Sequence, residues 1–200
     1  MPKETFLNLP PEKRELIEKR AMEEFARLPY EQASLSRIVD TCGIAKGSMY
    51  QYFSDKLALY LYIVELAYEK KRTYVNKAFA AEGGMFKILE EYYHQSYLFS
   101  RDYPLMHKVV NNFWESRAQR LHSQLSRGKI AREQDFLKFL TKAVEEGEAN
   151  PSLNPAAVFF VYHAVGKDLI DHFGEEMNGE FVSQVLDVLK LGLQRREEKR

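Results

Sequence analysis

The sequence predicts an all-α protein in which a three-helix head is joined to a larger helical domain, with about nine helices in all. Apolar residues recur at helical spacing along most of the 200 residues, and helix-forming residue types dominate the composition. The seven prolines stand at apparent boundaries between helices. Glu82-Gly83-Gly84 is the clearest break in the chain, and we expect no strand.

The first predicted helix begins at the pair Pro10-Pro11, because the missing N–H of proline costs nothing in the first turn of a helix. An apolar stripe then continues to Pro29, and it consists of Leu16, Ile17, Ala21, Phe25 and Leu28. We expect this helix to support the two short helices that follow it.

Two short helices joined by a tight turn are predicted between Ser34 and Lys56. The first ends at Gly43, which can adopt the left-handed conformation that a sharp turn needs. The second turns Met49 and Phe53 inward at a spacing of four residues. Its other face has few charges and many hydrogen-bond donors, and we assign to it Lys46, Gly47, Ser48, Tyr50, Gln51 and Tyr52.

Gly47 is the most informative residue of this second helix. Inside a helix a glycine costs about 1 kcal/mol relative to alanine, and close approach of the backbone to a ligand would compensate for that cost. Residues 41–54 also contain Lys46 and no carboxylate, which suits phosphates and base edges. We therefore interpret the segment as a helix-turn-helix whose second helix enters a DNA major groove.

The remaining elements are predicted from their caps and breaks. A long helix follows a cap at Ser54 or Asp55 and continues toward Phe79. Asn154 and Pro155 are typical of the N-cap and first residue of a helix. The other predicted helices are 85–100, one that Pro104 opens, a helical stretch over 114–146 with a possible break at 126–128, then 156–173 and 180–195.

The last two predicted helices have broad apolar faces. The helix 156–173 is apolar nearly all round, so it must be buried on more than one side. The pattern alone allows two uses for such faces, which are an intramolecular core and a symmetric interface between subunits.

Aromatic and neutral polar residues are dense between Tyr92 and Trp114. Such a mixture is typical of pockets for small organic molecules, but it also fits an ordinary helical core. The candidate ligand-binding residues are Tyr93, Tyr97, His107, Asn111, Trp114, Tyr162, His163 and Lys167.

The segment GIAKGSMYQYFSDKLAL resembles the DNA-binding signature of TetR-type bacterial transcriptional regulators. The resemblance extends upstream over the first predicted helix, and about 50 residues match the family pattern well. The chain departs from the family pattern at Pro29, Ala45, Gln51 and Tyr52. These departures concern the operator sequence more than the fold.

The resemblance implies roles for individual residues in DNA binding. Four residues match family positions that contact phosphate, and they are Ser34, Tyr50, Tyr52 and Lys56. Base edges are best reached by Lys46, Ser48 and Gln51, with Ser36 and Arg37 as further candidates. Gln51 could pair with adenine, and Lys46 could reach guanine.

The resemblance also implies a domain organisation and a function. We expect a DNA-binding domain at 1–56 and a ligand-binding and dimerisation domain at 57–200, with the dimer formed through the last two helices, about 156–195. The expected function is that of a homodimeric regulator, most simply a repressor, which a small, largely apolar or aromatic ligand releases from a palindromic operator. Two alternatives stay open: a DNA-binding regulator without an inducer, and an all-helical ligand carrier or enzyme.

Composition and motifs limit the other classes of function. The net charge is zero, so the DNA prediction depends on the motif rather than on bulk charge. A single cysteine excludes an intramolecular disulfide, and we expect Cys42 to be a buried hydrophobe. No signal peptide or membrane span is predicted, which indicates the cytoplasm. Glu91-x-x-His94 is only half of a di-iron motif, and the sequence has no glycine-rich phosphate loop, nucleophile elbow or zinc-type Cys/His spacing. We therefore expect no enzyme, no cofactor and no metal.

Overall fold

The computed structural model describes residues 1–80, 82–115, 126–173 and 179–193. Ten α-helices and no β-strand lie in these ranges, which confirms the predicted all-α class. The helices are α1 (Glu4–Leu7), α2 (Pro11–Arg27), α3 (Leu35–Cys42), α4 (Lys46–Tyr52), α5 (Lys56–Phe79), α6 (Met85–Asp102), α7 (Pro104–Glu115), α8 (Ser126–Glu145), α9 (Pro155–Phe173) and α10 (Gly179–Leu193).

One helix was not expected from the sequence. The four residues of α1 are too few to show a helical period, and the proline pair 10–11 separates them from α2. The predicted helical stretch 114–146 corresponds to the end of α7 and to α8, which begins at the expected break. Residues 116–125 of that stretch lie outside the described ranges. The last two residues of the predicted helix 180–195 also lie outside them.

Three helix starts follow the predicted chemistry. Helix α2 begins at Pro11. Asp55 accepts a hydrogen bond from the amide of Ala58 (2.7 Å) at the start of α5. Asn154 accepts one from the amide of Ala156 (2.9 Å), and α9 begins at the proline between them. These bonds satisfy amides that the first turn of a helix leaves without an intrahelical partner.

The first compact unit contains Met1–Arg72 and the described residues of Ser100–Leu125. Its core joins α1 to the first part of α5 and to α7, and the buried residues include Ile17, Phe25, Ile38, Leu59, Ile63 and Phe113. Leu16 is exposed, contrary to its expected place in the apolar stripe of α2. Asn112 of α7 donates hydrogen bonds to the carbonyl oxygens of Phe25 (2.8 Å) and Ala26 (3.1 Å), so it caps the end of α2.

The second compact unit contains Thr73–Phe99 and the described residues from Ser126 onward. Its core is built from α6, α8 and α9 around the ring of Tyr162. That ring lies 4.8 Å from the ring of Tyr93 and 5.3 Å from the ring of Phe136, measured between centroids. The hydroxyl of Tyr93 donates to the carbonyl oxygen of Tyr162 (2.8 Å), so the polar end of this buried side chain is paired.

The two units divide the chain differently from the predicted domains. The predicted boundary after Lys56 follows the DNA-binding motif and stays a prediction. The packing boundary lies later, within α5 between Arg72 and Thr73, and α7 belongs to the first unit. None of the helices in the described ranges is both long and apolar enough to cross a lipid bilayer.

Candidate functional site

The turn between α3 and α4 has the predicted geometry. Gly43 adopts φ 64° and ψ 29°, and its amide donates to the carbonyl oxygen of Asp40 (3.1 Å). The next amide, of Ile44, donates to the carbonyl oxygen of Val39 (3.3 Å). A positive φ strains every residue except glycine, so the turn requires this glycine for its backbone. The space around it is open, because a Cβ atom there would meet no atom within 4 Å.

Helix α4 presents a polar face and buries its apolar one. Met49 and Phe53 are buried, as predicted, whereas Lys46, Gly47, Tyr50 and Gln51 are exposed and Ser48 is half-buried. A Cβ atom on Gly47 would meet nothing within 4 Å. The protein therefore gives no packing reason for a glycine at this position, which fits a backbone left open to a partner.

Tyr52 does not lie on the exposed face as expected. Its side chain is only 6% exposed, and its ring lies 6.0 Å from the ring of Phe6. The reason is its position three residues after Met49, which brings it round to the inward side of this short helix. Its predicted contact with phosphate stays a prediction.

Ser34 and Arg37 are held by a buried carboxylate. Ser34 caps α3, since its hydroxyl oxygen accepts from the amide of Arg37 (3.3 Å). Glu24 is 5% exposed and accepts from the amide of Ser34 (2.8 Å), from Nη1 of Arg37 (2.9 Å) and from Nη2 of Arg27 (2.7 Å). Burial by itself raises the pKa of this carboxyl, but these donors and charges outweigh burial and lower the pKa below its ordinary value.

Lys56 binds the protein itself in this structure. Its Nζ donates to the carbonyl oxygens of Tyr30 (2.8 Å) and Ala33 (3.0 Å), and it lies 4.4 Å from the centroid of the Tyr30 ring. The lysine thus ties the start of α5 to the loop between α2 and α3. The sequence prediction of a phosphate contact by Lys56 did not include these partners, and that contact stays a prediction.

The candidate ligand-binding residues fall in both compact units. Tyr93, Tyr97, Tyr162, His163 and Lys167 belong to the second unit, and His107, Asn111 and Trp114 belong to the first. Tyr93 and Tyr162 are buried, and burial raises the pKa of each phenol above its ordinary value. Nε2 of His107 and Nδ2 of Asn111 are 3.1 Å apart. Five of the eight residues therefore lie in one unit and three in the other. Their role in ligand binding stays a prediction.

Two buried polar residues of α6 were missed by the sequence analysis. Ser96 is 1% exposed and Gln95 is also buried, and among the described residues neither the hydroxyl of Ser96 nor the side-chain oxygen of Gln95 has a hydrogen-bond partner. The amide nitrogen of Gln95 donates to Glu91 (2.8 Å). A buried polar atom without a partner costs free energy, which marks both residues as candidates for contact with a bound molecule. Ser96 lies three residues after Tyr93 and three before Phe99, so helical spacing alone placed it on the buried side of α6.

In the part of the chain that the structure describes, Cys42, Glu91 and His94 do not belong to a common site. Cys42 is buried, as predicted, and burial raises the pKa of its thiol. Glu91 contacts Gln95, and His94 is exposed. Among the residues that the structure describes, no three His, Cys, Asp or Glu side chains come close enough together to hold a metal ion.

Comparisons with known proteins agree with the geometry of the turn and of α4. Residues 17–63 match the family described as bacterial regulatory proteins, tetR family. A TetR family transcriptional regulator from Chloroflexus aurantiacus superposes with a TM-score of 0.76 at 26% identity, over 98% of this chain and 100% of that one. The predicted resemblance to TetR-type regulators is thereby confirmed. A search of curated protein sequences found no match.

Two further solved structures share the fold at lower identity. The ketosteroid transcriptional regulator KstR2 of Mycobacterium tuberculosis has a TM-score of 0.69 at 16% identity, over 94% of this chain and 98% of that one. The fatty acid degradation regulator FadR from Bacillus halodurans has a TM-score of 0.69 at 19% identity, over 94% of this chain and 100% of that one. All three are regulators rather than enzymes by name.

Proposed function

Since the chain carries a TetR-type DNA-binding domain within a TetR-type regulator fold, we propose that it is a homodimeric repressor that a small organic ligand releases from a palindromic operator. The observation that carries this proposal is the α3–turn–α4 arrangement, in which Gly43 closes the turn and α4 exposes a face without carboxylates. We propose that the protein acts in the cytoplasm, where its DNA target would lie.

The exposed side chains of α4 support sequence-specific reading of the major groove. Gln51 can form two hydrogen bonds with adenine, and Lys46 can reach guanine. Ser48 and the open backbone at Gly47 lie on the same short helix. The other proposed contacts are mostly with phosphate, and such contacts fix the position of the protein on the duplex. They are made by Ser34, Ser36, Arg37, Tyr50, Tyr52 and Lys56.

The exposed surfaces of α9 and α10 support dimerisation. Helix α9 exposes a second apolar stripe at helical spacing, formed by Ala157, Phe160, Val161 and Ala164. Phe160 is 72% exposed, and Val188 and Leu191 of α10 are 70% and 72% exposed. Large apolar side chains that are exposed in this way mark an interaction surface. A two-fold dimer would present two α4 helices to half-sites about 34–36 Å apart, or a multiple of that distance.

The buried polar side chains of α6, Gln95 and Ser96, support a ligand site. The ligand would be small and largely apolar or aromatic, since the candidate residues are mostly aromatic and only a few polar groups stand among them. For release from DNA, the ligand must bind one conformation of the dimer more tightly than the other. Helix α5 is the proposed connection, because it starts beside the helix-turn-helix and its last residues belong to the second unit.

The DNA-binding proposal is tested by selecting duplexes from a random-sequence pool with the purified chain. We expect a palindrome to be enriched, and Gln51→Ala should relax the preference at one base pair of each half-site by about 1–3 kcal/mol, because a bidentate base contact is lost. Gln32→Ala is the matched control, since Gln32 is exposed outside α4. An unchanged preference in Gln51→Ala would show that the reading face is assigned wrongly.

A regulator without an inducer is the second candidate function, because Tyr93 and Tyr162 pack against each other as core residues. The two candidates are separated by screening a library of apolar and aromatic compounds for release of the selected duplex. Release by a compound that also raises the melting temperature supports the ligand-responsive function. If no compound does either, the candidate without an inducer is favoured.

A further inference from the structure

Residues near the start of the chain donate hydrogen bonds to the carbonyl oxygens at the C-terminal end of α4. The last four carbonyl oxygens of a helix have no partner within that helix. In α4 all four are hydrogen-bonded, and three of the four donors belong to two residues that precede α2. The pairs are Met49 O with the amide of Phe53 (2.9 Å), Tyr50 O with Nζ of Lys3 (2.8 Å), Gln51 O with Oγ1 of Thr5, and Tyr52 O with the amide of Lys3 (2.8 Å).

Apart from the packing of its buried residues Met49 and Tyr52, α4 has few features that stabilise it as a helix. It has seven residues, and helices this short are marginal in water because nucleation is costly. Its N-cap residue, Ala45, makes no side-chain capping bond, and Gly47 weakens its interior. No glycine follows its end, where Phe53 is already extended at φ −132° and ψ 144°. The helix therefore lacks the caps that usually close both ends.

The donors are anchored on the core of the first unit. Phe6 is fully buried, with its ring 4.7 Å from the ring of Phe53 and 5.5 Å from the ring of Tyr62. This anchor fixes α1 beside the end of α4. The cationic Nζ of Lys3 also stands at the end where the helix dipole is negative, which is the favourable arrangement.

We propose that Lys3, Thr5 and Phe6 form an N-terminal clamp that holds the second half of α4 in its helical conformation, and that this clamp sets the specificity of DNA binding. All three residues lie outside the segment 17–63 that matches the family. Lys3 and Thr5 are positioning residues, since they act through the backbone of Tyr50, Gln51 and Tyr52. The role of the clamp in the specificity of DNA binding rests on the proposed function.

The clamp is tested first on DNA, with the duplex that the wild-type chain selects from a random pool. The double variant Lys3→Ala/Thr5→Val should weaken binding to that duplex roughly fivefold to twentyfold, because two hydrogen bonds that each contribute modestly are lost. Binding to unrelated duplex DNA should change less than twofold, and the slope of affinity against salt should stay the same. Lys3→Arg/Thr5→Ser keeps both donors and should restore binding.

Lys13→Ala is the control for loss of charge, since it removes an exposed lysine of α2 from the same unit. It should leave the preference for the selected duplex intact. A salt slope lower by about one in Lys3→Ala/Thr5→Val would overturn the proposal, because it would make Lys3 a phosphate contact instead. Failure of Lys3→Arg/Thr5→Ser to restore binding would also overturn it.

Amide hydrogen exchange tests the clamp without DNA. In Lys3→Ala/Thr5→Val the amides of residues 50–53 should exchange about fivefold to tenfold faster, while the amides of α2 should be unchanged, because only the end of α4 opens. Equal exchange in the variant and the wild type would overturn the clamp whatever the DNA result. If the wild-type chain enriches no duplex, the proposed function fails, whereas faster exchange in α4 would still support the clamp.

Discussion

Glu24 is a carboxylate within the apolar stripe of α2, and its partners explain how the helix-turn-helix is held on that helix. It follows Ile17 by seven residues and precedes Phe25, so its position in the sequence is one that faces the core. There it accepts from the amide of Ser34 and from Arg37 of α3. A buried carboxylate needs such donors, and here they also fix the start of α3.

Replacing Glu24 by glutamine should lower the free energy of unfolding by roughly 1–3 kcal/mol, because charge-assisted bonds are lost. The pKa of Glu24 is lower in the folded than in the unfolded chain, so its stabilisation is present above the ordinary value of 4.5 and is lost as the pH falls through the folded value. The variant should therefore lose less stability than the wild type on acidification below about pH 5. Urea unfolding followed by circular dichroism at several pH values measures both effects.

Glu23→Gln is the control for this prediction, since Glu23 pairs with Arg20 (2.9 Å) at the partly exposed surface of the same helix. A surface pair of this kind contributes about 0–1 kcal/mol. If the two variants are equally stable and have the same pH profile, the buried network does not contribute what we expect.

Gly47 separates the stability of the chain from DNA binding. Gly47→Ala should raise the free energy of unfolding by up to about 1 kcal/mol, because the position is helical and a Cβ atom there would lie within 4 Å of no described atom outside its own helix. It should nevertheless weaken binding to the selected duplex, since the methyl group lies on the face proposed to enter the groove. Urea unfolding and a DNA titration measure the two effects. A variant that is more stable and binds DNA as well as the wild type would contradict the proposed approach of the backbone.

At the scale of helices, periodicity and turn residues were enough to predict the order from α2 to α7 and the pair α9 and α10. The left-handed turn at Gly43 and the caps at Asp55 and Asn154 follow from local chemistry, which the sequence displays directly. The clamp on α4 could not be predicted in this way, since it joins residues 46 and more positions apart. Local patterns carry no information on such contacts, and the partners of Lys56 in the loop between α2 and α3 are a further example.

The contact between α6 and α9 depends on Gly166. A Cβ atom built there would lie 2.2 Å from Cε1 of Tyr93, which is held by its bond to the carbonyl of Tyr162. Gly166→Ala should therefore lower the free energy of unfolding by roughly 1–3 kcal/mol despite the better helix propensity of alanine. Urea unfolding measures this loss. Gly192→Ala of α10 is the control and should not be destabilised, because a Cβ atom there would meet no described atom within 4 Å.

At the scale of the whole molecule, the exposed surfaces of α9 and α10 are the proposed dimer interface. Phe160→Glu/Leu191→Glu places two charges on the exposed apolar stripes, and we expect the dimer to dissociate because burying unpaired charge is costly. Sedimentation velocity at several concentrations measures the association. The selected palindrome should then be bound with much lower affinity.

Leu105→Glu is the control for this prediction, since Leu105 is an exposed leucine of α7 in the first unit and lies on neither α9 nor α10. It should leave association unchanged. A double variant that still sediments as a dimer would show that the subunits associate through another surface. The sequence identified the two apolar helices, but it left open which of their faces stays exposed, because that depends on how each helix packs on the core of the second unit.

The position of Trp114 has a practical consequence. It is the one tryptophan of the chain, it is half-buried, and its ring lies 5.7 Å from the ring of Phe113 in the core of the first unit. Indole emission therefore reports on the polarity around that core alone, whereas the far-ultraviolet signal comes from helices of both units. Comparing the two signals during denaturation would reveal whether the half of the protein that carries the helix-turn-helix melts together with the other half or separately, without attaching any dye.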